Sequence, residues 1–254
     1  MSKPTILITG GTGFLGSRIL EALLNENYPV ILIKRSTSSL WRIEHFIKEI
    51  TIYDIDDIPL EQIFEEQRID IVFHTACEYG RNDKSIQKVV ESNLIFGLKV
   101  LDACIKFNIK TFFNTDTSLN RNLNEYTLSK KQFTEWLKLK SRLIQIINLR
   151  IELIYGPKDD PTKFIPYVIS QLKLNTSEIE LTSGEQERDF IYIDDVVAAC
   201  MILLQKSPTL TRFNEFDVGT GKSVKVKFFF EQLKKIFESN FGEVKTKFTF
   251  RKIP

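Results

Sequence analysis

No uninterrupted apolar run in the 254 residues approaches the roughly 20 needed to cross a bilayer, and the amino terminus lacks the charged-then-apolar order of a secretion signal. No membrane partner is expected, and the expected location is cytoplasmic. Cysteine is scarce. Cys77, Cys104 and Cys200 are isolated, odd in number and without Cys-x-x-Cys spacing, which argues against a disulfide frame or a zinc site. All three read as small buried apolar groups, and no metal is expected. Only two histidines occur; His45 reads as a surface residue and His74 as a packed, hydrogen-bonded one. Charge of one sign is also missing, with 35 basic residues set among 33 acidic ones, and no extended basic tract announces nucleic acid. Internal repeats and low-complexity linkers are absent.

What is present suits a large globular core. Hydrophobic residues make up 43% of the chain, and their spacing alternates between two periods. Uncharged β-rich runs at Thr5–Thr9, Val30–Lys34, Ile50–Asp54, Asp70–Ala76, Thr111–Thr115 and Leu143–Arg150 read as strands, with helical patterns between most of them. Strands alternating with helices predict a doubly wound parallel sheet of Rossmann type. Helices are expected over about Asp83–Phe107 and Tyr126–Ser141, and further on over Thr162–Leu174, Asp194–Lys206 and Val226–Ser239. The rhythm changes after Tyr155-Gly156-Pro157. The expected division is therefore a dinucleotide-binding domain at 1–156 and a smaller carboxyl-terminal substrate lobe at 157–254. Phe228, Phe229, Phe230 and Phe237 read as its core beneath a lysine-rich face.

The first strand runs into "TGGTGFLG". Gly10, Gly13 and Gly16 follow a buried strand and open an amphipathic helix, the setting in which this spacing binds a dinucleotide. Lacking a Cβ, such residues allow a tight turn, close approach of backbone to a pyrophosphate and tight packing of helix on strand. The helix beginning at Phe14 and Leu15 turns free N–H groups toward the phosphates. A P-loop would need Gly-Lys-Ser/Thr, whereas Ser17 and Arg18 follow Gly16. An acidic side chain closing the second strand would favour NADH by binding the ribose 2′-hydroxyl. Lys34, Arg35 and Ser36 stand there, and two cations with a hydroxyl favour the 2′-phosphate of NADPH.

Tyr126 and Lys130 form Tyr-x-x-x-Lys at the start of a helix, one turn apart on one face. A phenol ordinarily titrates near pH ~10, and a neighbouring ammonium is expected to lower that value and make it an acid or base. Tyr126 is the expected proton carrier.

Four ordered stretches, "TGGTGFLG", "YTLSK", "IYGP" and "ERDFIYIDDV", resemble the extended short-chain dehydrogenase/reductase family, the nucleotide-sugar epimerases, dehydratases and reductases. The resemblance spans nearly the whole chain. It implies that Thr115 holds the reacting oxygen beside Tyr126, that Lys130 also grips the nicotinamide ribose, and that Asp54 and Ile55 lie along the adenine. Thr75 and Ala76, in "HTACEYG", are implied to border the cofactor. Arg188 is implied to clamp the diphosphate of a nucleotide-sugar substrate, and Thr117 and Lys163 are further expected substrate contacts; Glu78, Tyr79 and Arg81 follow the fourth strand, where doubly wound folds place ligands, and Glu78 is the expected substrate contact among them. A homodimer built from the helices near 83–107 and 126–141 is also implied. "HTACEYG", "FNTDTS", "KFIPYVI" and "SGEQERDFIYIDDVV" are similar to the abequose and paratose synthase branch, whose members reduce the C4 ketone of a CDP-linked dideoxy-hexulose with NADPH for O-antigen sugars.

The fifth-strand motif separates the reactions. Family dehydratases carry Thr-Asp-Glu, a carboxyl pair suited to elimination. Here the order is Thr115-Asp116-Thr117, so elimination lacks its base. The expected activity is NADPH-dependent reduction of a 4-keto sugar. The alternatives are an NAD-dependent 4-epimerase using the same groups in both directions, and a non-catalytic dinucleotide sensor. Two departures from the family stand out. Leu153, next to Glu152, replaces an asparagine, and the sequence stops at Pro254 soon after "KFTF", where relatives continue, so either the chain is cut there or the substrate lobe is shorter than theirs.

Overall fold

The computed structural model describes residues 3–81 and 85–251. In chain order its strands and helices are β1 (Ile6–Thr9), α1 (Phe14–Asn25), β2 (Val30–Lys34), β3 (Thr51–Asp54), α2 (Leu60–Glu66), β4 (Ile71–His74), α3 (Ile86–Val90), a wide π turn (Glu91–Ile95), α4 (Phe96–Lys106), β5 (Thr111–Thr117), α5 (Glu125–Lys140), β6 (Gln145–Ile151), β7 (Leu153–Tyr155), α6 (Phe164–Lys173), β8 (Glu178–Thr182), β9 (Glu187–Arg188), β10 (Phe190–Tyr192), α7 (Ile193–Lys206), β11 (Phe213–Val218), β12 (Val224–Lys225), α8 (Val226–Phe241) and β13 (Lys247–Arg251). The expected start, at Asp83, of the helix read over Asp83–Phe107 lies outside the described residues.

Seven parallel strands form one sheet in the order β11-β6-β5-β4-β1-β2-β3. The order reverses between β1 and β4, and β1 is flanked by β2 on one edge and β4 on the other: Ile6 lies opposite Val30 on β2 and Ile71 on β4. In doubly wound sheets the crevice beyond the carboxyl ends of strands at such a reversal is where ligands bind. The strands carry continuous apolar runs because helices cover both faces. Leu7, Ile31, Val72, Phe112 and Ile146 meet Val100, Leu101, Phe133 and Leu137 from the helices in one core.

The chain forms two compact units, one of Met1–Ile151 with Ile193–Val218 and one of Glu152–Tyr192 with Gly219–Pro254. A single cut at 156 does not describe this division, because residues 193–218 return to the first unit. The reason is physical: α7 packs on α1, where Arg18 and Asp194 pair at 2.6 Å, and β11 extends the large sheet by pairing in parallel with β6. The second unit is built of three two-stranded pairs, β7 with β10, β9 with β12 and β8 with β13. Its own core gathers Val168, Leu172, Ile179, Leu181, Val226 and Phe230. Phe229 and Phe237 line that core, but Phe228, expected inside, is 51% exposed, since it falls on the outer side of α8.

Candidate active site

The turn after β1 is shaped by what a side chain would strike. Gly10 has φ +68°, and a Cβ there would lie 2.5 Å from the Ala76 nitrogen; at Gly16 it would lie 2.2 Å from the Gly10 carbonyl oxygen and 2.6 Å from Thr75 Oγ1. Backbone therefore packs on backbone. Thr75 Oγ1 donates to the Thr9 carbonyl at 2.7 Å and the Ala76 N–H donates to Thr9 Oγ1 at 3.3 Å, tying the turn to the loop that leaves β4. Gly13 caps α1, and Phe14 and Leu15 open it, both partly exposed. Gly16→Ala is expected to destabilise the protein by about 1–3 kcal/mol through overpacking and to weaken dinucleotide binding, both readable by thermal melting with and without NADP⁺.

At the adjoining strand ends the basic residues are not equivalent. Lys34 Nζ donates to Asp54 Oδ2 at 2.7 Å and Ser36 Oγ donates to the same oxygen at 2.9 Å. Chiefly through Lys34, the Asp54 carboxyl is held below its ordinary range. Two of the three groups expected to meet a 2′-phosphate are thus directed at a carboxylate, and Arg35 is the exposed cation of the trio. Ile55, whose N–H bonds the Lys34 carbonyl at 2.9 Å, packs at the margin of the core.

Helix α5 begins sharply because Asn124 and Thr127 cap each other's backbone N–H groups reciprocally. This places Tyr126 in the first turn and Lys130 one turn on. Lys130 is 1% exposed, and its Nζ is among the few buried polar atoms of the described residues without a hydrogen-bond partner. Burial pushes its ammonium below the ordinary lysine range. Burial likewise raises the Tyr126 phenol well above its ordinary value, reinforced by the charges of Cys77 and Asp116, while a hydrogen bond with Thr117 opposes the rise. The expected acidification by Lys130 is therefore corrected: desolvation wins, and Tyr126 is a protonated phenol in the free protein. The Tyr79 ring lies 4.8 Å from the Tyr126 ring, centroid to centroid.

Of the fifth-strand residues, Thr117 is the one whose hydroxyl meets Tyr126, while Thr115 Oγ1 donates to the His74 carbonyl at 3.3 Å. Asp116 points to the other side. Its carboxylate accepts from Lys131 Nζ at 2.9 Å, Thr134 Oγ1 at 3.1 Å and the Thr117 N–H at 2.7 Å, and its side chain is wholly buried. His74 is buried, with Nδ1 hydrogen-bonded to Thr9 Oγ1 at 2.9 Å, and burial with the nearby Lys130 charge pulls its pKa down to about 3.

Sequence reasoning missed Asn93. It sits in the π turn, fully buried, accepting the Glu78 N–H at 2.6 Å and donating to the Glu78 carbonyl at 2.8 Å and Ser129 Oγ at 3.0 Å. Ser129 in turn donates to the Tyr126 carbonyl at 2.8 Å. Widened turns of this kind favour functional sites, and here one amide fixes the loop after β4 to the helix bearing Tyr126. The available signal was an asparagine inside an otherwise apolar helical run. Glu78, expected to contact substrate, is held at its backbone by this clamp.

Lys163 and Arg188 belong to the second unit. Lys163 Nζ pairs with the buried Asp159 carboxylate at 2.8 Å, and Arg188 Nη1 donates to the Glu187 carbonyl at 2.7 Å. Asp189 faces inward, accepting from Thr220 Oγ1 at 2.6 Å and the Gly221 N–H at 2.8 Å. The Leu153 N–H donates to the Asp189 carbonyl at 3.1 Å.

The first unit suits a dinucleotide. Its turn leaves no room for a Cβ, and a buried ammonium without a partner stands one helical turn from a buried phenol. Among the described residues no cluster of three or more histidine, cysteine or carboxylate side chains is placed to hold a metal, and no helix is long and apolar enough to cross a membrane.

Comparison with known proteins agrees. The chain is 34% identical over 252 residues to a CDP-abequose synthase of Salmonella muenchen, covering 94% of this chain and 84% of that protein. It is 28% identical to a putative UDP-glucose 4-epimerase of Methanocaldococcus jannaschii, covering 90% and 81%. It superposes with a TM-score of 0.82 and 25% identity on the UDP-glucose 4-epimerase of Thermotoga maritima solved with UDP-glucose, covering 98% of this chain and 86% of that one. Residues 6–219 match the NAD dependent epimerase/dehydratase family, and the chain, a Rossmann-type α/β enzyme, belongs to it.

Proposed function

We propose that the protein is an NADPH-dependent reductase of the C4 ketone of a nucleotide-linked deoxy-sugar, of the CDP-4-keto-3,6-dideoxyhexose type, serving surface-polysaccharide synthesis in the cytoplasm. The observation that carries this reading is the protonated Tyr126 phenol beside the partnerless Lys130 ammonium, with Asp116 locked away. When bound, the nicotinamide supplies a hydride to a carbonyl carbon. Tyr126 then gives its proton to the emerging alkoxide, and Thr117 and Thr115 hold the oxygen by hydrogen bonds. Lys130 binds the ribose hydroxyls and favours the phenolate left behind. Elimination would need a free acid–base pair, and the sole carboxylate on this strand is saturated by Lys131 and Thr134.

The second reading, an NAD-dependent 4-epimerase, is favoured by one observation: Asp54 engages Lys34 and Ser36, leaving Arg35 to meet a 2′-phosphate. NADPH oxidation with CDP-4-keto-3,6-dideoxyglucose tests the first reading, and interconversion of UDP-glucose and UDP-galactose without net cofactor turnover would replace it with the second. Arg35→Ala is expected to lower kcat/KM for NADPH by about 10–100-fold, the worth of charge-assisted hydrogen bonds to phosphate, and to leave NADH nearly unaffected. Equal losses with both cofactors would place the preference elsewhere.

A homodimer accords with the exposed apolar side chains Leu128, Trp136 and Leu139 on α5 and Ile95 in the π turn. Trp136→Asp is expected to shift the protein to monomer in light scattering at micromolar concentration.

A further inference from the structure

Of the three cysteines, two are sealed and one is not. Cys104 and Cys200 are fully buried, and burial raises both thiols, that of Cys200 to about 12. Cys77, expected to be buried, is partly exposed. Its place follows from the loop it occupies. The preceding Ala76 is pinned to the glycine turn through Thr9 Oγ1, and the following Glu78 is clamped on both backbone groups by Asn93. The thiol therefore stands on a segment fixed at both ends, between the glycine turn and α5. It is close enough to act by charge on both Tyr126 and Lys130. A second, independent feature points to the same place: the Lys130 ammonium is 1% exposed and has no partner there. Reactive cysteines sit in partly exposed, electropositive surroundings, whereas buried thiols are inert.

We propose that Cys77 is a covalent modification site for small soft electrophiles, hydroperoxides among them, and that its modification closes the dinucleotide site. The inference rests on the reading of this cleft as the cofactor site. With hydrogen peroxide the Cys77 sulfur attacks one oxygen, the S–O bond forms as the O–O bond breaks, sulfur is oxidised to sulfenic acid, and the departing hydroxide takes up the thiol proton to leave as water. With iodoacetamide the S–C bond forms, iodide leaves and the thiol proton goes to solvent.

The test treats the full chain and its Cys77→Ala variant with iodoacetamide, with and without saturating NADP⁺, and reads the labelled peptide by mass and NADP⁺ binding by calorimetry. The expected result is one label per wild-type chain, on Cys77, slowed at least tenfold by NADP⁺. Labelled wild type then loses NADP⁺ binding at least tenfold, and a peroxide arm gives the same loss, reversed by thiol reductant. The variant takes no label and keeps binding NADP⁺ after either treatment. Labelling of Cys104 or Cys200 at a comparable rate overturns the proposal. So does labelling of Cys77 that NADP⁺ does not slow although calorimetry shows it bound, and in that case the assigned function stands. Absence of any NADP⁺ or NAD⁺ binding to untreated protein overturns both.

Discussion

Tyr126→Phe is expected to fold, to bind NADP⁺ as wild type does and to lose about 10²–10⁴ in kcat, the usual contribution of a positioned proton donor. The argument is local. The substitution removes one oxygen from a side chain whose backbone is held by the Asn124 cap and the Ser129 hydroxyl, so the helix and its neighbours remain. What disappears is the proton. The same reading fixes the pH dependence. A group whose pKa is raised stays protonated as pH climbs, so burial keeps Tyr126 in its acid form past the point where an ordinary phenol ionises. The rate of ketone reduction with the neutral reduced cofactor is therefore expected to stay level from neutral into the alkaline range and to fall only above it. His74, neutral down to about pH 3, adds no inflection near its ordinary 6.5. A decline between pH 7 and 8 that Tyr126→Phe removes would show instead that an acidified phenol carries the reaction.

Lys130→Met is expected to inactivate the enzyme while making the free protein more stable. The ammonium is buried without a partner, and burial disfavours its charged form. Replacing an uncompensated buried charge by an apolar side chain of similar length stabilises by about 1–3 kcal/mol, a rise of roughly 2–4 °C in Tm per kcal/mol for a chain of this size. Dinucleotide binding is expected to weaken, since the ribose hydroxyls lose their donor. Such opposite effects on stability and function mark a residue kept for its ligand. A lower Tm for Lys130→Met would mean that the ammonium is satisfied in the free protein.

Much of this was legible in the residues. The uncharged strands and the glycine spacing led to the parallel sheet and to the turn where Gly10 and Gly16 admit no Cβ, because both are short-range consequences of sterics and burial. The Tyr126–Lys130 spacing likewise fixed their common face. Three features were not readable because they depend on partners distant in sequence. The direction of the Tyr126 shift turns on how much protein covers the phenol, which spacing does not encode. Lys34 looked like a phosphate ligand until Asp54, 20 residues on, was seen to hold it. Asn93 read as part of a helix, and its role emerged only once its amide met Glu78 and Ser129. The single cut at 156 failed for the same reason: β11 belongs to the large sheet by pairing with β6, 67 residues away in the chain at Asn148 and Glu215.

The central claim is net hydride delivery to a sugar ketone with the proton coming from Tyr126. It is tested most directly by incubating wild type and Tyr126→Phe with CDP-4-keto-3,6-dideoxyglucose and NADPH doubly deuterated at the nicotinamide C4. The account predicts one deuterium at C4 of the sugar product and stoichiometric NADP⁺ from wild type, with a rate lower by about 10²–10⁴ in the variant. Sugar product without deuterium, or full turnover in Tyr126→Phe, would contradict it.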